Sequence, residues 1–468
     1  MRRMLNNESF KQIGFSVFSN TVVLLMSLIT GLFLAKYVSV ETYASYKTFF
    51  LFAGYLGFFH FGFINGIYLK YGGMDYVELP KNRFRAYTRF LVITQISVQI
   101  VMLTCMIPYY VQNGSFLSAY VFVILNLLFI NVNCYFNLIN QFTRRFVLDG
   151  TIQLIQKIVC VIGIVILLLF KSDNYVSYLT LLTIANALTL ILLMLNDREL
   201  VFGSHSRFDF SEIKSMISHG FFIMISEYMG LIIVGIDSII INLFFPQSSF
   251  SVYAFAVTII SVMYQLTNVI SKPIFPYLKR QNFDSLVRLY GDMKMGCVIF
   301  SAFIGGIATI VPWLIRLLIP KYNASIPIVQ ILCATVIIRG VLDLILGNYY
   351  KVLSLERLFA KTNIIALLTG LITDVIAYNL FHKMEAIAIA SVISFSIWYI
   401  VSDVMLKRRM HIRSYGPDLL LIVTVVILLT LSAWESVWGM IIFYILVIIS
   451  VILYLKKTDI IHLLKEKH

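Results

Sequence analysis

The side chains with most chemical potential are the ionisable ones set inside apolar segments. Arg339 stands near the middle of one such segment, and Asp343 follows four residues later on the same helical face. Two chemistries are open to this pair. It is either a cationic anchor for a phosphate, with Asp343 fixing the guanidinium fork, or a closed intrahelical ion pair that packs helices. Glu227, also near mid-segment, is a candidate to pair with Arg339 or to carry a proton for ion coupling. Asp237 and Asp374 lie in the outer thirds of their segments, where they are either interfacial carboxylates or, with Glu227 and Asp343, candidates for coupling or gating. Lys157 and Arg316 stand nearer segment ends, where long side chains can snorkel to the interface. His60 is either a group that titrates near neutral pH or a buried, hydrogen-bonded ring.

A second pattern is made of amides. Asn126, Asn133, Asn137, Asn140 and Arg144 recur at steps of 7, 4, 3 and 4, which is one face of a helix. Asn131 and Gln141 flank it, and Gln95, Gln99, Gln153 and Asn20 extend the theme in other segments. Polar groups at membrane depth must face protein or water. Amides both donate and accept hydrogen bonds, which suits sugar hydroxyls. The alternative is an interhelical seam, in which such groups contribute about 0.6 kcal/mol each. The candidate substrate-binding set is therefore Arg339, Lys157, Asn126, Asn133, Asn137, Asn140, Gln95, Gln99 and Asn20.

The elements that position these residues must be transmembrane helices. Of 468 residues, 60% are hydrophobic and only 13% charged, and the mean hydropathy is +0.88, far from the composition of a soluble domain. A crossing needs about 20 apolar residues. That criterion predicts fourteen spans, near 13–35, 46–69, 88–110, 116–140, 151–170, 175–195, 216–244, 250–274, 294–318, 326–350, 362–381, 385–406, 417–433 and 437–455. Only Trp434, Glu435 and Ser436 separate the last two. The five cysteines are scattered singly in apolar segments and need no oxidising compartment.

The net charge of +14 would suggest nucleic acid in a soluble protein. Sorted by loop, the basic residues say otherwise. Only Lys36, Lys47, Lys171, Lys321 and Lys383 fall on the side opposite the N-terminus, and Lys157, Arg316 and Arg339 lie within spans; the remaining 29 of the 37 gather on the N-terminal side. The positive-inside rule makes that side, with both termini, cytoplasmic. The charge is accounted for by topology, and no nucleic-acid partner is expected.

The chain reads as two halves. Glu41-Thr42-Tyr43-Ala44-Ser45-Tyr46 opens the second span and Ser248-Ser249-Phe250-Ser251-Val252-Tyr253 opens the eighth, 207 residues later. The expected organisation is an N-terminal six-helix half over 1–196, a cytoplasmic linker over 197–214, a C-terminal six-helix half over 215–408, and a helix pair with a basic tail over 409–468. Such pseudo-symmetric halves are a transporter architecture, with the substrate site exposed alternately to each side. Gly62 and Gly66 form a GxxxG, a close helix contact in prospect. The sequence contains no P-loop, dinucleotide loop, His-Glu-x-x-His, paired-Cys spacing or Asp-x-Asp. No cofactor, no metal and no catalytic residue is expected, and the outer loops are too short to hold an enzymatic domain.

The run Leu34-Ala35-Lys36-Tyr37-Val38-Ser39-Val40-Glu41-Thr42-Tyr43-Ala44-Ser45-Tyr46, with Phe61-Gly62-Phe63 after it, resembles the start of the bacterial polysaccharide transporters. These are the Wzx-type O-antigen and repeat-unit flippases of the multidrug/oligosaccharidyl-lipid/polysaccharide exporter (MOP) superfamily. Val252-Tyr253-Ala254-Phe255-Ala256 and Pro276 before Lys279 and Arg280 resemble the second-half counterpart. Gly235-Ile236-Asp237-Ser238 falls where relatives often carry an Asp. The resemblance implies a flippase moving an undecaprenyl-diphosphate-linked oligosaccharide from the cytoplasmic to the outer leaflet of the bacterial inner membrane. It also implies polysaccharide-assembly partners such as a polymerase and a chain-length regulator, with membrane lipid around the tail. Arg339 with Lys157 would meet the diphosphate and the amides the sugars. The alternatives are a cation-coupled drug exporter of the same superfamily and a membrane glycan polymerase or glycosyltransferase.

Overall fold

The computed structural model describes residues 7–113, 118–204, 207, 209–307, 309–412, 416–432, 438–439 and 441–452. Arg2, Arg3, Arg413, the Trp434-Glu435-Ser436 separator and the basic tail from Lys456 lie outside the described residues. The fold is all-helical. Ten helical segments among the described residues are long and apolar enough to cross a membrane, two more crossings are bent pairs, and two shorter apolar helices follow at the C-terminal end. Each falls on one of the fourteen expected spans, and ten to twelve of them are long and apolar enough to cross a membrane. The chain divides into two compact units, Met1–Tyr228 and Met229–His468.

The first unit contains α1 (Asn7–Tyr37), α2 (Val40–Ala53), α3 (Phe63–Tyr71), α4 (Lys81–Asn113), α5 (Ala119–Leu125), α6 (Leu127–Phe142), α7 (Phe146–Leu169), α8 (Tyr175–Asn196) and the first half of α9 (Phe210–Phe244). α2 starts where Ser39 takes an extended conformation and its hydroxyl accepts the Thr42 N–H at 3.2 Å. Asp173 reinforces the cap, accepting the Ser39 N–H at 2.8 Å. α9 is capped by Asp209, which accepts the Ser211 and Glu212 N–H groups at 3.0 and 3.1 Å. Those bonds, the Glu212 N–H foremost, hold its carboxyl below the ordinary Asp range.

The second crossing is broken. α2 and α3 diverge by 60° across a 3₁₀ turn, Leu56–His60, that ends with Phe61 at φ +52° and Gly62 at φ +80°. A broken span frees backbone carbonyls that lipid cannot satisfy, and two amides take them. Asn131 donates to the Leu56 carbonyl at 3.1 Å and Gln95 to the Phe59 carbonyl at 2.9 Å, while Asn131 also donates to Gln95 Oε1 at 2.7 Å. His60 is buried and its Nδ1 accepts the Gly62 N–H at 3.1 Å. The Gly62–Gly66 pair makes the close contact its spacing implied. A Cβ at Gly66 would fall on the Met216 carbonyl, and one at Gly220 of α9 on the Gly62 carbonyl.

The second unit contains α10 (Gln247–Lys279), α11 (Phe283–Ile307), α12 (Val311–Leu318), α13 (Ile326–Val341), α14 (Gly347–Val352), α15 (Glu356–Phe381), α16 (Met384–Met410), α17 (Gly416–Ser432) and α18 (Ile441–Ile452). α10 begins 207 residues after α2, at the offset of the repeated motif, and Tyr46 and Tyr253 are both buried. α13 runs through the core of this unit, packed by α10, α11, α16 and α17, with Cys333, Val336 and Ile337 sealed from solvent. A π turn, Leu342–Leu346, links α13 to α14.

The charges sit differently from their expected loops. Lys47, expected in an outer loop, is inside α2. Lys157 is eleven residues into α7, because that helix starts at Phe146, earlier than hydropathy placed it. Lys294 and Lys407, counted as loop cations, are buried in α11 and α16.

Candidate functional site

In the first unit, α6, α7 and α8 line an open cavity of about 350 Å³, within the range of small-ligand sites, about 300–1,000 Å³. Asn133, Asn137 and Gln141 reach it from α6, Gln156 from α7, and Asn186 and Thr189 from α8. Of the α6 stripe, Asn133 and Asn137 line the cavity, and each has a buried amide oxygen with no hydrogen-bond partner. The other stripe members are placed elsewhere. Asn126 stands at the 42° break between α5 and α6 and donates to the Phe122 carbonyl at 2.8 Å. Asn140 donates to Asp197 at 3.2 Å, and Asp197 also pairs with Arg145. Gln95 is spent on the broken span, Gln99 donates to the Leu125 carbonyl at 3.3 Å, and Asn20 is exposed on α1. Gln156, Asn186 and Thr189 were missed as site residues. Their only sequence signal was polarity within otherwise apolar spans.

Arg339 and Asp343 form the ion pair their spacing predicts, Nε to Oδ2 at 3.1 Å. The guanidinium lies 4.2 Å from the centre of the Tyr264 ring, whose hydroxyl meets Thr335 at 2.6 Å. Asp343 belongs to the π turn, a distortion that recurs at functional positions. Glu227 belongs to the first unit, where Asn65 of α3 donates to it at 3.2 Å. Lys47 and Lys157 lie within electrostatic reach of each other; Lys47 sits 5.3 Å from the Tyr43 ring, and neither makes an ion pair among the described residues.

In the second unit Asp237 and Asp374 come together. Asp237 is buried on α9 and accepts hydrogen bonds from the Tyr253 hydroxyl at 2.5 Å, the Ser238 N–H at 2.6 Å and the Ser391 hydroxyl at 3.2 Å. Asp374 of α15 is 1% exposed and within electrostatic reach of Asp237, and neither of its oxygens has a hydrogen-bond partner. One turn earlier Gly370 admits the neighbouring helices: a Cβ there would lie 3.1 Å from the Ser394 hydroxyl and 3.6 Å from Ile236. Depth along the span suggested interfacial carboxylates, but the packing of α9, α15 and α16 buries both.

A second charged cluster was missed in the sequence, although Asp403 and Lys407 stand four residues apart on one helical face. Lys294 of α11 and Lys407 of α16 each pair with both Asp403 of α16 and Asp418 of α17. Tyr290 and Tyr399 donate to Asp403 and Asp418 respectively. Two cations and two anions cancel, so the cluster binds α17 to α11 and α16 and leaves no net charge for a ligand.

No family model and no curated protein matches the sequence. Solved structures do match the fold. The lipid II flippase MurJ in an inward closed conformation superposes with a TM-score of 0.68 over 96% of this chain and 99% of that chain, at 15% identity. The inward-facing form of a multidrug resistance MATE family transporter of the MOP superfamily gives 0.62 over 83% and 94%, at 11% identity. A MATE in complex with MaL6 gives 0.51 over 86% and 94%, at 13% identity. The chain has the fold of the MOP-superfamily transporters. Within that fold the amide cavity belongs to the N-terminal unit and the Asp237–Asp374 pair to the C-terminal unit.

Proposed function

We propose that this protein is a flippase that moves a lipid-linked oligosaccharide, borne on an undecaprenyl diphosphate, from the cytoplasmic to the outer leaflet of a bacterial inner membrane. The observation that carries the reading is the α6–α8 cavity: the uncharged amides and hydroxyl among its lining residues both donate and accept hydrogen bonds, which suits the hydroxyls of a sugar. MurJ, of similar fold over nearly its whole length, is a lipid II flippase. Both termini are cytoplasmic in this reading, as the basic loops favour. Arg339, held by Asp343, meets the diphosphate. Asp374, within electrostatic reach of Asp237, couples the cycle to an ion, because a buried carboxylate without a donor takes up either a proton or a cation. A polymerase and a chain-length regulator consume the product.

Deletion of the gene, followed by analysis of surface polysaccharide and of lipid-linked intermediates, tests the proposal. Complete repeat units accumulating on the inner leaflet are the expected result. Unpolymerised units accumulating outside would make the protein a polymerase, and unchanged glycans with a drug-sensitivity phenotype would make it an exporter of drugs.

A further inference from the structure

Two cations of the N-terminal unit lie within electrostatic reach of each other and have no protein anion between them. Lys157 stands in the middle of α7, eleven residues after Phe146 and twelve before Leu169. At about 1.5 Å per residue its backbone is roughly 17 Å from either end of the helix, too far for the side chain to snorkel to an interface. Lys47 is seven residues into α2, about 10 Å from its start. The two helices face each other at this level. Lys157 is within reach of Lys47, and Cys160, three residues further along the same face of α7, is within reach of both Lys157 and Tyr46. Tyr46 and Cys160 are buried, and both lysines are partly buried.

The other cations set inside helices of this fold are answered by protein. Lys294 and Lys407 each pair with two carboxylates, and Arg339 pairs with Asp343. Lys47 and Lys157 differ. Lys47 lies over the Tyr43 ring, which leaves its charge in place, and no carboxylate among the described residues pairs with either lysine. Each charge is costly at membrane depth, and the two repel. An anion set between them relieves both penalties.

We propose that Lys47 and Lys157 form an acid-recognition site, which takes the carboxylate of an acidic sugar, such as a uronic acid, in the transported head group. The inference rests on the flippase reading and adds the class of sugar. The lysines belong to the unit that holds the amide cavity, and α7 contributes to both sites: Gln156 lines the cavity and Lys157 follows it in the chain. The diphosphate has a cation of its own in Arg339, so the lysine pair answers a second acidic group. Ammonium groups are compact point charges, and two of them offer one to each carboxylate oxygen. A neutral sugar leaves both cations unpaired, and that difference is the source of the specificity.

The test uses the full chain in nanodiscs and two probes with the same lipid and diphosphate, one bearing galacturonic acid and the other galactose, which differ only in the carboxylate. Ethidium serves as a drug-like control. The wild-type protein is expected to bind the acidic probe at least tenfold more tightly. Lys47→Met and Lys157→Met should each bring that ratio close to one, whereas Lys157→Arg, which keeps the charge, should preserve it. Equal binding of the two lipids by the wild-type protein, or preference for galactose, overturns the acid site and leaves the flippase reading in place. A tenfold ratio that survives in both Met variants, with the two lipids weakened alike, gives the lysines to the diphosphate and also overturns the acid site. Binding of neither lipid together with binding of ethidium overturns the flippase reading, and the acid site with it. The wild-type ratio decides the question even if the variants fail to fold.

Discussion

Asp374 and Asp237 are chemically identical side chains in opposite situations. Asp237 has three donors on its carboxylate, and Asp374 has none while almost wholly buried. A group with satisfied bonds is part of the scaffold, whereas a buried acceptor without a donor costs stability. Asp374→Asn is therefore expected to leave the thermal midpoint of the purified protein unchanged or raised and to abolish the ion dependence of flipping in proteoliposomes. A fall of several degrees with the ion dependence intact would make Asp374 structural. The contrast was invisible in the sequence, where both residues looked interfacial by their depth. What buries them is the approach of α15 and α16 that Gly370 and Ser394 permit.

Among the elements, the broken second span shows how one irregularity recruits others. The left-handed Phe61 and Gly62 free carbonyls, and Gln95 and Asn131 answer them. Past the break, α3 approaches α9 so closely that Gly62, Gly66 and Gly220 have no room for a side chain. Gly220→Ala, which drives a methyl into the Gly62 carbonyl, is expected to cost about 1–3 kcal/mol, read as a lowered melting temperature in detergent. Gly230→Ala, on the same helix with open space at the Cβ position, serves as the control and should change little. The GxxxG was legible in the sequence, but its partner was not, since nothing local marks Gly220 as the residue it meets. Gln95 was read as a sugar ligand for the same reason: polarity in a span shows that a residue needs a partner and does not say which one.

At the scale of the whole molecule, the four-charge cluster of Lys294, Asp403, Lys407 and Asp418 ties α17 to the rest of the C-terminal unit. Removing one member of a buried, balanced set leaves an uncompensated charge, which costs roughly 3–5 kcal/mol. Asp418→Ala should therefore strip much of the stability of the unit, measured as loss of monodisperse protein on size exclusion. Asp418→Ala combined with Lys294→Met, which restores neutrality and fills the volume, should recover it.

The apolar helical segments and the start of the repeat were legible in the sequence alone. Each of these depends on composition and on spacing along one helix, and apolar length is set by the thickness of the bilayer rather than by partners. The sequence also named two of the amides that line the cavity, Asn133 and Asn137, and the Arg339–Asp343 pair, because neighbours three and four residues apart share a helical face. Tertiary structure decided the rest: that Asp237 meets Asp374, that Lys294 and Lys407 are buried, and that Gln156, Asn186 and Thr189 complete the cavity. It also decided the chain of amide hydrogen bonds that runs from the Phe122 carbonyl through Asn126 and Asn186 to Gln156, which depends on a register between α6, α7 and α8 that no single helix encodes.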